Sequence, residues 1–122
     1  MTAATKARFK QIAGYVDIEE RARFALYCSA YGISASFLLN LLVRRELEFD
    51  RLGILCNAHL RRSCSRKGAK VIAHLENSIL NEHFAEHAKA YGLSVASAAA
   101  VLVRAELSER WFDQAFRLRP TT

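Results

Sequence analysis

Much of what usually announces a function is missing from this chain. No run of residues is apolar for long enough to cross a bilayer, and residues 1–10 lack the apolar core of a signal peptide. The sequence therefore predicts a soluble, cytoplasmic protein with no membrane partner. Cysteine is scarce and odd in number: Cys28, Cys56 and Cys64 follow no disulfide-scaffold spacing, which points to reduced thiols. Proline is confined to Pro120, so nothing earlier than the tail is broken by it. Neither a nucleophile-and-base constellation nor a phosphate-cradling glycine loop is present, which argues against an enzyme and against a cofactor. Acidic residues are absent from residues 51–75, a stretch with six basic ones.

Metal-ligand patterns are no better represented. Cys56, His59 and Cys64 offer three donors, but at irregular spacing and without a fourth, so buried or idle thiols are the simpler reading. His83 and His87 stand four apart, but no glutamate follows His83 in the order that the metalloprotease pattern His-Glu-x-x-His requires, since Glu86 precedes His87 instead. His87 reads as a partly buried helix residue, and no metal site is predicted.

What the chain does contain is a repeat. Sliding residues 12–47 onto 72–107 without a gap matches thirteen of thirty-six positions identically, including Ala30-Tyr31-Gly32 with Ala90-Tyr91-Gly92, and Leu42-Val43-Arg44 with Leu102-Val103-Arg104. Two copies of one supersecondary unit are implied. At 122 residues the chain is one domain, and a single copy would bury too little surface to be stable alone. The copies should share one core, as a monomer with internal pseudo-dimer symmetry.

Each copy carries the same local signals. Residues 9–16 and about 70–75 read as strands. A first helix spans 18–31 in copy one, where Asp17 and Glu20 form a capping box, and 78–91 in copy two; a cap of this kind is worth about 1 kcal/mol. Phe24, Tyr27, Cys28 and Tyr31 form its inner face in copy one; Leu80, Phe84, His87 and Ala88 do so in copy two. Gly32 and Gly92 stop these helices, and Ser34 and Ser94 cap the next. The second helix of copy one, with Phe37, Leu38, Leu41 and Leu42, is apolar nearly all round and should be deeply buried. Residues 54–60 form a further helical turn. Residues 108–119 continue helically, with Trp111, Phe112, Ala115 and Phe116 on one side. Where copy one has Phe37-Leu38-Leu39-Asn40, copy two has Ser97-Ala98-Ala99-Ala100, and large facing small suits interdigitation. Arg44 with Glu46 and Arg104 with Glu106 recur as structural contacts.

Strand, glycine-stopped helix and serine-capped helix, paired with a second copy, resemble the plan of the ribbon-helix-helix DNA-binding family over residues 8–48 and 68–108. The turn Tyr91-Gly92-Leu93-Ser94-Val95-Ala96-Ser97 is especially similar. The expected architecture is mainly α with a two-stranded antiparallel β-ribbon, two such units lying in one chain: 8–48, a linker 49–67, 68–108, and a helical tail 109–122. The resemblance implies a ribbon in the major groove of double-stranded DNA and phosphates at the N-termini of the second helices, here Ser34 to Ser36 and Ser94 to Ala96. Layout, size and the Tyr-Gly repeat are similar to the core of the tumour-inducing-plasmid virulence proteins that assist T-DNA processing and transfer. That implies border or enhancer DNA as ligand, and the relaxase and accessory proteins of a DNA-transfer complex as partners. A transcriptional repressor or antitoxin of the same fold, and a protein-interaction module that has lost DNA readout, are the alternatives.

The net charge of +6 fits a polyanionic partner. Candidate DNA-binding residues are Lys6, Arg8, Lys10, Ser34, Ser36, Arg66, Lys67, Lys70, His74 and Ser94. Two strand phases compete. Keeping Glu76 out of the core turns Arg8, Lys10, Ile12, Gly14, Lys70, Ile72 and His74 outward and Phe9, Ala13, Tyr15, Val71, Ala73 and Leu75 inward. Family spacing turns Gln11, Ala13, Tyr15, Val71, Ala73 and Leu75 outward instead.

Overall fold

The computed structural model describes residues 11–60, 68–74 and 78–117. The chain is mainly helical with a single two-stranded antiparallel sheet among the described residues. β1 (Gln11–Val16) and β2 (Ala69–His74) are each followed by three helices: α1 (Ile18–Ala30), α2 (Ala35–Phe49) and α3 (Leu52–His59), then α4 (Ser78–Ala90), α5 (Val95–Glu109) and α6 (Trp111–Arg117). The axes of α1 and α2 turn through 94°. Those of α4 and α5 turn through 87°. No single described helix is long and apolar enough to cross a membrane.

Local chemistry sets these boundaries. Asp17 is extended, and its amide donates to Glu20 Oε1 at 2.9 Å, closing the capping box that starts α1. Gly32 and Gly92 have φ of 70° and 74°, which glycine adopts without a Cβ penalty. Around each, the next two amides turn back in the same pattern. Gly32 donates to Ser29 and Ile33 to Cys28; Gly92 donates to Lys89 and Leu93 to Ala88. Ser34 Oγ then accepts from the Phe37 amide at 3.0 Å, and Ser94 Oγ from the Ser97 amide at 3.1 Å.

The second helices also end alike. Asp50 and Arg110 are left-handed, at φ 51° and 54°, and their amides donate to the carbonyls of Glu46 and Glu106. The tail is therefore a separate helix, α6, rather than a continuation of α5, and Ala115 on it is exposed. The carboxylates of Glu46 and Glu106 are buried beneath the breaks. Glu46 accepts the amides of Arg51 and Leu52, and Glu106 that of Phe112, so each carboxylate caps the short third helix.

One core joins all elements. Phe24 and Phe84, at equivalent positions of α1 and α4, are fully buried, each worth about 1.5–3 kcal/mol relative to an exposed ring. α5 is the central helix, buried on every side from Ala98 to Glu106. Apolar content favours α2 for that place, yet Phe37 is 51% exposed. The reason is close packing: β1 crosses α5, and a Cβ on Gly14 would stand 2.9 Å from both Ala100 N and Ala99 Cβ. Small residues on α5 let the strand settle onto it, and the helix is covered as a result. β2 packs in turn on α2, so each strand rests on the second helix of the other copy.

The strands correct the sequence reading of phase. Ile12, Gly14 and Val16 face inward on β1, whereas Val71 and Ala73 do so on β2. Outward Ile12 and Gly14 and inward Ala13 and Tyr15 are thus overturned in copy one; outward Val71 and Ala73 are overturned in copy two. The two strands have opposite phase in the gapless sixty-residue register. Cross-strand partners must share a face, and Ile12 stands opposite Ala73 and Gly14 opposite Val71. The burial patterns of the strands match at an offset of fifty-nine residues, one fewer than the offset of the sequence repeat.

Candidate nucleic-acid interface

The outer face of the ribbon is a grid of three cross-strand pairs: Gln11 with His74, Ala13 with Ile72, and Tyr15 with Lys70. Gln11, Tyr15, Lys70 and His74 are exposed, while Ala13 and Ile72 form a half-buried apolar centre. Among the described residues of the two strands, none on this face is a carboxylate. Gln11 brings an amide that donates and accepts, Lys70 an ammonium, His74 an imidazole and Tyr15 a phenol on a ring that can stack.

Side chains from the helices fix the strand ends. Arg21 Nε, in the first turn of α1, donates to the Lys70 carbonyl at 3.0 Å, and Asn81 Nδ2, at the equivalent place on α4, donates to the Gln11 carbonyl at 3.1 Å. At the far end of β2, the His74 amide donates to Ser36 Oγ at 3.1 Å, and Asn40 Nδ2 donates to the His74 carbonyl at 2.8 Å. Arg44 Nε holds Asn40 through its Oδ1 at 2.8 Å. Copy two has Ala96 and Ala100 where copy one has Ser36 and Asn40, so the far end of β1 lacks these two braces.

Beside the ribbon, Arg21, Lys70 and Ala35, the first residue of α2, line a groove of about 210 Å³ with Ala25, Val71 and Ile72. Two cations and the amide end of a helix there make a favourable environment for an anion. Two buried polar contacts join α1 to α5. Arg104 Nε on α5 meets the Glu20 carboxylate on α1 at 3.2 Å, and the Tyr27 hydroxyl on α1 donates to Glu106 on α5 at 2.6 Å. Burial pushes the Tyr27 phenol well above its usual range, and the bond to Glu106 adds to it.

Among the residues singled out from sequence, Lys70 and His74 stand on the outer face. Ser34 and Ser94 are exposed caps. Ser36 is committed to the end of β2. Lys6, Arg8, Lys10, Arg66 and Lys67 lie outside the described residues. Arg21, Asn40 and Asn81 join the site without having been singled out by sequence. The signal for two of them is present there, since positions 21 and 81 are equivalent polar residues in the first turns of α1 and α4.

Fold and face together define a mainly helical protein whose described residues form a two-stranded antiparallel sheet with no acidic side chain on the outer face of its strands. No protein-family model, no curated protein and no solved structure matches the chain.

Proposed function

We propose that the two copies form a pseudo-dimer of ribbon-helix-helix units and that the protein binds double-stranded DNA, with the ribbon in the major groove. The observation that carries this reading is the outer face of the ribbon: exposed Gln11, Lys70 and His74 around a small apolar centre, with no carboxylate among them. A two-stranded ribbon is of a size the major groove admits, and amide and ammonium side chains match base-edge acceptors and donors there. The pairing of each strand with the other copy's second helix, and of Arg21 and Asn81 with opposite strands, supports a twofold arrangement. Arg21, Lys70 and the start of α2 are suited to a backbone phosphate, which fixes register without reading sequence. The resemblance to T-DNA-processing proteins extends the proposal to an accessory role in plasmid or T-DNA transfer, alongside a relaxase, in the cytoplasm.

The test is fluorescence anisotropy on a border-and-enhancer duplex and a scrambled duplex over a range of salt. Preference for the natural duplex at physiological salt is expected. Changing Lys10 and Lys70 together to Ala should lower affinity and reduce the salt slope by about 0.9 for each phosphate that is no longer neutralised. Unchanged binding by that variant would sink the assignment. No binding even at low salt would favour a protein-interaction module, for which the apolar Ala13–Ile72 centre is the specific support.

A further inference from the structure

The repeat supplies an internal control for one cluster of side chains that the DNA-binding reading does not use. In one place Tyr27, Glu106 and Arg110 meet: the Tyr27 hydroxyl donates to Glu106, and the Arg110 guanidinium lies 4.5 Å from the centroid of the Tyr27 ring. This arrangement carries its own cation. Sixty residues away in each case, the equivalent positions are His87, Glu46 and Asp50. Here the arginine is replaced by a second carboxylate and the phenol by an imidazole.

These three groups converge. His87 Nε2 is 2.7 Å from Glu46 Oε2 and 3.3 Å from Asp50 Oδ1. One donor atom from each residue falls within 4.8 Å of the other two. The two carboxylates are held in position. Glu46 is 3% exposed and clamped by the amides of Arg51 and Leu52. Asp50 sits in the left-handed cap of α2, with the Tyr91 hydroxyl donating to its Oδ1 at 2.6 Å. The Asp50 side chain is 60% exposed, so the cluster opens to solvent on one side.

We propose that Glu46, Asp50 and His87 form a binding site for a divalent transition-metal ion, of which zinc is the best match. One imidazole nitrogen and two carboxylate oxygens are zinc donors, and the open side leaves room for water in the remaining position. Tetrahedral bonds of about 2.0–2.1 Å put ligand atoms roughly 3.3 Å apart, so His87 and Glu46, now at 2.7 Å, must part by about 0.6 Å, while His87 and Asp50 already stand at that separation. Tyr91 is the outer partner that orients Asp50. The ion supplies the positive charge that Arg110 supplies in the other copy. Magnesium and calcium prefer all-oxygen shells and are poorly served by the imidazole. Bound metal would join the end of α2 to α4, bracing the two copies independently of any DNA contact.

Zinc binding by the chelator-stripped, full-length protein is to be measured by calorimetry and thermal unfolding, with magnesium in parallel. One zinc per chain and a higher unfolding midpoint are expected, with no magnesium effect. Asp50→Asn removes a charged ligand while keeping a residue type that tolerates the left-handed cap. The double variant His87→Tyr with Asp50→Arg copies the Tyr27–Arg110 arrangement. Both should fold and lose zinc affinity at least tenfold. Absent zinc binding, or wild-type affinity in Asp50→Asn, overturns the proposal. So does a thiolate charge-transfer band in the cobalt-loaded protein, which would assign the ion to a cysteine.

Discussion

The Tyr27 hydroxyl and the Glu106 carboxylate meet at 2.6 Å across 79 positions of sequence. That contact fixes three helices at once. Tyr27 belongs to α1 and Glu106 to α5, while Glu106 also accepts the Phe112 amide and the Tyr27 oxygen accepts the Asp113 amide, both from α6. Losing either side chain strands polar groups in the core.

Tyr27→Phe should therefore cost about 1.5–3 kcal/mol, the range for a hydrogen bond to a charged group. Urea unfolding monitored by circular dichroism measures it. A change of only a few tenths would mean that Glu106 finds a replacement donor and that the contact is incidental.

Glu106 and Glu109 should give stability opposite pH dependences. Burial raises the pKa of Glu106, so the folded chain holds that proton more tightly than the unfolded chain. Its contribution is full below the ordinary carboxylate range and is lost as pH rises through the raised value. The hydrogen bond from Arg51 lowers the pKa of Glu109, whose contribution is present above the ordinary range and lost as pH falls. Urea midpoints between about pH 3 and pH 7 should decline less steeply with rising pH in Glu106→Gln, and lose part of their acid-side fall in Glu109→Gln. The second effect should stay under about 1 kcal/mol, because Arg51 and Glu109 side chains are 31% and 37% exposed and screened by solvent.

Arg104→Ala removes the cation paired with the buried Glu20 carboxylate, and should destabilise the fold by about 3–5 kcal/mol. Replacing both partners, as Glu20→Leu with Arg104→Met, should recover most of that loss. The repeat already offers a precedent: Leu80 stands at the position equivalent to Glu20, and Arg44, equivalent to Arg104, turns outward to Asn40. Thermal midpoints of the single and double variants test the pair.

Gly14→Ala drives a methyl group to within 2.9 Å of the Ala100 backbone nitrogen, which cannot move aside as a side-chain end can. A loss of about 1–3 kcal/mol is expected from urea unfolding. An unaffected variant would mean that β1 can lift away from α5 at little cost.

The repeat made most of the helices legible. Asp17, Ser34, Ser94, Gly32 and Gly92 act through contacts a few residues long, and such signals survive whatever the tertiary packing. Strand phase did not follow from the same register. Ile12-Ala13 and Ile72-Ala73 are identical pairs, yet Ile12 is buried and Ile72 only half-buried, because pairing across the ribbon outweighs the match in sequence. The break that begins at Asp50 shows as a lapse in the helical pattern, whereas the one at Arg110 was hidden. Both residues are left-handed without glycine, and their support comes from Glu46 and Glu106 beneath them. The cluster of Glu46, Asp50 and His87 was invisible for a simpler reason: His87 comes from the other copy, forty-one positions from Glu46.

Two strands with unlike outer edges give the ribbon a direction. Gln11, Ala13 and Tyr15 run along one edge and Lys70, Ile72 and His74 along the other. A dimer of identical chains reads the same when turned end for end, but one fused chain does not. Any duplex gripped by this face would carry an arrow, with one flank of the bound site permanently distinguished from the other.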